Sequence, residues 1–323
     1  MKLNKKKIAT MIAMGLIMTT VVGCAGKKDA VKEVVLDELV ITHVTSPLNV
    51  PSIIQKNKDI FTQEFESNGQ NIEVKYAEIT SGAEQTQALA SGDVDILYAV
   101  GGTSVILSAA NGADIKVLNM YSRSPEAFTL YSTDDTIKTA EDLRGKTIAG
   151  PTGTNLHQLL VAYLDKAGMT LEDVNYVNMS IPDAKAALDG GSIDAALIAG
   201  PTAYVAKEQG YHLVTNGAGL TDAIIAVAVR EDFYNEHKDV VEQFVSGQEK
   251  ILDYMEENKE DTMKIVAEEL DLEVEAVEEM YQQYDFDTEI TDADRKAFQN
   301  VADFMYEAGM IEQEFDTTSL YIK

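Results

Sequence analysis

Between residues 38 and 230 the chain alternates short runs rich in Val, Ile and Tyr with stretches whose apolar residues recur at helical spacing. ELVITHV (38–44), NIEVKYAEI (71–79), VDILYAV (94–100) and IKVLNMY (115–121) read as strands. TIAG (147–150), VNYVNMS (174–180), DAALIAG (194–200), YHLVTNG (211–217) and IIAVAVR (224–230) read the same way. PSIIQKNKDIFTQEF and GAEQTQALAS supply helices in the first half; TNLHQLLVAYLDKAG, DAKAALDG and PTAYVAKEQG supply them in the second. Strands alternating with helices predict an α/β architecture of parallel sheets covered on both faces. After Arg230 the pattern turns to nearly continuous amphipathic helix, from EDFYNEHKDVVEQFVSGQEKILDYMEEN to DADRKAFQNVADFMYEAG. Its Met and aromatic stripe reads as core packing.

Within this alternation one unit occurs twice. Residues 81–103 and 180–202 align at an offset of 99 with seven identities: Ser81/Ser180, Ala88/Ala187, Leu89/Leu188, Gly92/Gly191, Asp95/Asp194, Gly101/Gly200 and Thr103/Thr202. Ser81 with Glu84, and Ser180 with Asp183, have the spacing of capping boxes, in which the hydroxyl takes an early helical N–H and the acid reaches back to the cap. Gly92 and Gly191 fall where each helix needs a left-handed end. Asp95 and Asp194 open the following strand, which runs into Gly101 or Gly200 and a new helix. In open α/β sheets ligands bind beyond the carboxyl ends of the strands. Two lobes with matching corners would therefore hold a ligand between them.

The N-terminus stands apart. Lys2, Lys5, Lys6 and Lys7 precede an apolar run, Ile8 to Val22, that ends in VVGC. About 15 apolar residues fall short of the roughly 20 that span a bilayer, so residues 1–23 read as a signal peptide. VVGC resembles a bacterial lipobox, which makes Cys24 the expected site of lipidation and residues 24–36 a tether. Cys24 is the only cysteine, so no internal disulfide is available. His43, His157, His212 and His237 show no pairing at ligand spacing, and neither a metal nor a cofactor is expected. Setting residues 1–23 aside leaves 22 basic against 54 acidic residues, a net charge of −32, which repels nucleic acid and anionic lipid.

Several spaced stretches carry a family resemblance: QALASGDVDI, LRGKTIAGPTGTNLHQLLVAYLDKAGM, LDGGSIDAALIAGPTAY and the helical C-terminus. From Leu39 onward the chain resembles the solute-binding lipoproteins of ABC importers, in the branch that binds nitrate, taurine, aliphatic sulfonates and the thiamine pyrimidine precursor. The resemblance implies a two-lobed periplasmic-binding-protein fold of type II, with two doubly wound sheets joined by two hinge crossings near 125–130 (PEAFTL) and 221–227 (TDAIIAV). Lobe one is then expected at 37–126 and 227–323, and lobe two at 127–226. It also implies a monomer anchored outside the cytoplasm, with a small-molecule ligand and an ABC permease with its ATPase as partners. A sensor, or an enzyme on the same fold, is the alternative class. GPTGTN (150–155) lacks the lysine and spacing of a phosphate loop, no G-x-S-x-G elbow is present, and Glu141 and Asp142 read as a solvated turn.

Strand ends that open into helices direct unpaired N–H groups and a positive dipole end toward the crevice. In lobe one the candidate ligand-binding corners are Ser46, Pro47, Leu48 and Asn49, then Ser81 and Gly82, then Gly101, Gly102 and Thr103. In lobe two they are Thr152, Gly153, Thr154 and Asn155, then Ser180, then Gly200 and Pro201. Tyr121 and Tyr204 are candidate walls, each able to serve the core instead. Arg123 and Glu126 stand before the first crossing, either as ligand partners or as a pair supporting the hinge. Hydroxyls and backbone donors without a lysine cluster favour a weakly basic oxyanion such as a sulfonate over a phosphate. The alternative ligand is a flat heterocycle such as a pyrimidine precursor.

Overall fold

The structure, a computed structural model, describes residues 36–322. The signal peptide, Cys24 and all of the tether except Leu36 lie outside the described residues. The chain builds two five-stranded sheets. Sheet A contains β1 (Glu38–Thr42), β2 (Glu73–Ala77), β3 (Ile96–Gly101), β4 (Lys116–Arg123) and β10 (Ile224–Val229) in the order β2-β1-β3-β10-β4. Sheet B contains β5 (Phe128–Ser132), β6 (Thr147–Gly150), β7 (Asn175–Asn178), β8 (Ala195–Ala199) and β9 (His212–Asn216) in the order β7-β6-β8-β5-β9. Around sheet A lie α1 (Val50–Lys58), α2 (Ile60–Ser67), α3 (Gly82–Ser91) and α4 (Gly102–Ala110). Sheet B carries α5 (Asn155–Asp165), α6 (Ile181–Asp189) and α7 (Gly200–Glu208). The acidic C-terminal part forms α8 (Glu231–Glu236), α9 (Lys238–Glu257), α10 (Lys259–Leu270), α11 (Val274–Tyr281) and α12 (Asp292–Glu307).

The two sheets share one topology, and in neither is it wholly parallel. β1, β2 and β3 are parallel, as are β6, β7 and β8, but β10 runs against β3 and β4, and β5 runs against β8 and β9. The reason lies in the crossings. The chain leaves sheet A at Arg123 and enters sheet B at Phe128, beside Ala199 at the end of β8. Its return at Ile224 is beside Arg123 at the end of β4. A chain that enters a sheet from the edge where the parallel strands finish must run back against them. β5 was not legible as a strand: FTLYS is a short, wholly buried run behind a proline-containing turn, without alternation to mark it. Ile224, Ile225 and Ala226, expected with lobe two, pair within sheet A.

Sheet A is covered on both faces, and period-two alternation sorts its side chains. Ile41, Ile96, Tyr98, Val227 and Val229 join one buried cluster, into which Phe61 of α2 and Phe244 of α9 stack at 4.3 Å between ring centroids. Leu97, Val117, Met120, Ala226 and Ala228 join the other, with Phe298 and Val301 of α12. Each buried Val, Leu, Ile, Met or Phe among them contributes about 1.5–3 kcal/mol through burial. Among the described residues no helix is long and apolar enough to cross a membrane.

Candidate functional site

The repeated unit builds equivalent corners. Ser81 Oγ accepts from the Glu84 N–H and Ser180 Oγ accepts from the Asp183 N–H, so α3 and α6 are capped alike. The reciprocal half differs from the expected box: the Asp183 carboxylate takes the Ser180 hydroxyl at 2.6 Å instead of reaching back to the backbone. Asp95 Oδ2 accepts the Val40 N–H of β1, and Asp194 Oδ2 accepts the Thr147 N–H of β6, each at 2.8 Å. The two aspartates thus tie each third strand to its neighbour and fix where the strand ends emerge.

Those ends meet across the lobes. Thr103, fully buried at the start of α4, donates its hydroxyl to Asn155 Oδ1 at the start of α5, 3.2 Å away. Asn155 Nδ2 donates to the carbonyl of Ile224, where the second crossing returns. Ser104 Oγ donates to the Gly153 carbonyl at 3.3 Å, and the Cα of Gly82 packs against the same serine. Gly200, at φ +57, lies so near Pro47 that an added Cβ would stand 2.9 Å from its Cα and 3.1 Å from the Leu48 nitrogen. On the other flank, Lys207 of α7 pairs with Glu279 of α11. The corners of the two lobes are closed on one another.

Not every expected residue is free to serve a ligand. The Leu48 N–H already donates to the Tyr284 hydroxyl, and Asn49 is buried with Nδ2 bonded to the Val44 carbonyl. Gly102 packs under the Ile224 carbonyl and the Phe298 ring. Thr154 Oγ1 turns back to the Pro151 carbonyl, while Thr152 is exposed with its N–H on Asn178 Oδ1. Ser46, Pro47, Ser81, Gly101, Gly153 and Pro201 stay partly exposed at the mouths of the corners, Gly200 is buried against Pro47, and Ser180 is exposed on its cap. Tyr121 is not a wall of the cleft. It is buried in lobe one, where its hydroxyl serves both the N–H and the Oγ of Ser52.

Arg123 is likewise committed. Its Nε and Nη2 clamp the two oxygens of Asp294, each at 2.6 Å, and Nη1 and Nη2 donate to the carbonyls of Asp287 and Glu289 at 2.8 Å. This fork pins the end of β4 to the start of α12. Glu126, by contrast, is exposed. It shares a cavity of about 180 Å3 with Gly200, Tyr204, Lys207 and Glu279, so three of the expected residues do come together there.

Two histidines emerge that sequence reasoning left aside. His157 is buried in the first turn of α5 and stacked on Tyr176, 4.9 Å between centroids. Its Nδ1 accepts the Gly153 N–H, which leaves the proton on Nε2, and Nε2 has no partner. The signal lay in the spacing: Leu156, Leu159, Leu160 and Leu164 form one apolar face of α5, and His157 lies at its edge. His43 follows β1 with both ring nitrogens buried and unpartnered, edge-on to Tyr76. Burial first, and then the Lys56 charge, hold His43 below the ordinary histidine range, and burial holds His157 below it. Both are neutral at pH 7. With the buried, unpartnered Ser46 Oγ, they place four unsatisfied polar atoms on three side chains near the corners, each costing about 1–3 kcal/mol until something bonds it. Among the described residues no three His, Cys, Asp or Glu side chains gather as a metal site.

Known proteins resemble this arrangement. The family model described as "NMT1/THI5 like" matches residues 65–262, more than half of the chain. A Bacillus subtilis protein named for binding aliphatic sulfonates is 28% identical over 301 residues, covering 91% of this chain and 87% of the relative. The taurine-binding periplasmic protein of Escherichia coli is 32% identical over 180 residues, 54% of this chain and 55% of the relative. The alkanesulfonate-binding protein SsuA of Xanthomonas axonopodis pv. citri, solved bound to MOPS, superposes with a TM-score of 0.80 at 22% identity, over 88% of this chain and 98% of that one. That likeness establishes the two-lobed fold of periplasmic binding proteins.

Proposed function

We propose a function from the fact that the chain belongs to the NMT1/THI5-like family: it is the solute-binding component of an ABC importer, and it captures a small sulfonate between its lobes. One observation supports this most. The corners of both lobes converge with hydroxyls, neutral histidines and helix N-termini, and none of the corner residues is a lysine or arginine. Donors of that kind suit a weakly basic oxyanion, whose charge a helix N-terminus and several neutral hydrogen bonds can hold without full neutralisation. Closure completes the site, because the donors come from both lobes and are joined only when Gly200 seats on Pro47.

Glu126 reads the other end of the ligand. It stands on the first crossing beside Gly200 and Tyr204, where an ammonium on the solute would reach it. The heterocycle alternative loses one of its two aromatic walls, since Tyr121 belongs to the core. The protein acts by binding and delivery to a permease, without chemistry of its own, and is held outside the cytoplasm by a lipid on Cys24. Cys24→Ala should move the protein out of the membrane fraction; a variant that stays membrane-bound counts against the anchor. Calorimetry with taurine, an alkanesulfonate, nitrate and an aminopyrimidine tests the ligand. Saturable sulfonate binding is expected, and tight binding of the aminopyrimidine with no sulfonate response would overturn the reading.

A further inference from the structure

A second, larger cavity lies away from the corners, on the side of the hinge covered by α12. It has a volume of about 810 Å3 and takes walls from both lobes: Arg123 and Pro125 of the first crossing, Gly219 to Asp222 of the second, Gln158 of α5, and the inner face of α12. None of the corner residues lines it. Its charge is one-sided, with four aspartates (Asp222, Asp285, Asp287 and Asp294) against the single cation Arg123. Asp294 and Arg123 neutralise each other in their fork. Arg123 Nη1 reaches Asp285 only at 3.5 Å, and among the described residues neither Asp222 nor Asp287 forms an ion pair.

Two further features shape what this space accepts. Gln158 is buried, 4% exposed, and its Oε1 has no hydrogen-bond partner. An unpaired buried amide oxygen is costly and accepts any N–H that reaches it. Ala293, Ala297, Val301 and Phe304 give the cavity an apolar wall on successive turns of α12. The volume falls in the range of roughly 300–1,000 Å3 that holds organic ligands, and no metal-ligand cluster is formed among the described residues. We propose that this hinge cavity is a second binding site, for an organic ammonium with an apolar body: the cation on Asp222 and Asp287, an N–H on Gln158, and the body against α12. Because its walls belong to both lobes, an occupant there is linked to the hinge angle.

The test titrates phenethylammonium into the full mature protein by calorimetry, with 3-phenylpropionate as a control of similar shape and opposite charge. The acidic surface collects cations loosely, so stoichiometry and variants carry the result. Saturation at one per chain is expected for the ammonium and none for the carboxylate. Asp222→Asn, on an exposed loop, should weaken binding about three- to tenfold. Gln158→Leu should weaken it as well, with thermal unfolding confirming a folded variant. Uptake that never saturates, equal binding of the carboxylate, or saturable binding unchanged in both Asp222→Asn and Asp287→Asn would overturn the proposal.

Discussion

The two copies of the repeated unit end on glycines that match in sequence and differ in the structure. Gly101 enters α4 from extended backbone, φ −63 and ψ 135, and a Cβ there would meet nothing nearer than Asn155 Oδ1 at 3.6 Å. Gly200 enters α7 at φ +57, and a Cβ there would press into the backbone of Pro47 and Leu48 in the other lobe. Identity between the copies therefore reports what each lobe needs to fold, namely the serine cap, the helix-ending turn and the strand-tying aspartate. The difference reports what the two lobes do to each other. At Gly200 the requirement is close approach as well as a left-handed backbone.

The largest effect should come from the clamp that lobe one carries outside the repeat. Asp294→Asn leaves the Arg123 guanidinium without its carboxylate and should lower unfolding stability by about 2–4 kcal/mol in urea melts at pH 7. Burial raises the Asp294 carboxyl, but the bonds from Arg123 and Thr291 outweigh it and hold the group at about 2. With the folded value depressed, the stabilisation is present above the ordinary carboxylate range and is lost as pH falls from about 4 toward 2. The deficit of Asp294→Asn should narrow over that window. A deficit independent of pH would remove the clamp from the account.

Next in size are the strand ties. Asp95→Ala and Asp194→Ala should each cost about 1.5–3 kcal/mol, as expected for charged hydrogen bonds to backbone N–H groups. Asp194 also pairs with Lys146 at 3.3 Å, a half-exposed contact worth at most about 1 kcal/mol more. Urea melts of the two variants that differ by several kcal/mol would break the equivalence of the repeats.

Most of this local architecture was legible in the sequence. Short runs rich in Val, Ile and Tyr marked nine of the ten strands, and the 99-residue offset marked the corners, because caps and turns are written in adjacent residues. The antiparallel β5 and the fate of Tyr121 were not. In β4, Met120 and Tyr121 enter different buried clusters on opposite faces, so a sheet covered on both sides hides its pattern. Arg123 finds Asp294 across 171 positions, a pairing that no local spacing encodes. The burial of His157 has a related reason: its stacking partner Tyr176 comes from β7, a separate element of lobe two.

Smaller in scope is Glu126, which adjoins Gly200. Glu126→Gln should weaken an aminosulfonate by about 1.5–3 kcal/mol while leaving an alkanesulfonate nearly unchanged, measured by calorimetry on both. Equal losses for the two ligands would mean that Glu126 supports the hinge and does not read the ammonium.

The most direct test of two lobes closing on one ligand is an alkanesulfonate titration of wild type, Gly101→Ala and Gly200→Ala under identical conditions. One-to-one binding is predicted for wild type, with a change below about threefold for Gly101→Ala. Gly200→Ala should lose at least about tenfold, since the left-handed backbone alone costs roughly 1–2 kcal/mol in a non-glycine residue and the Pro47 contact adds to it. Equal affinities in the two glycine variants, or no saturation in any of the three proteins, would contradict the account.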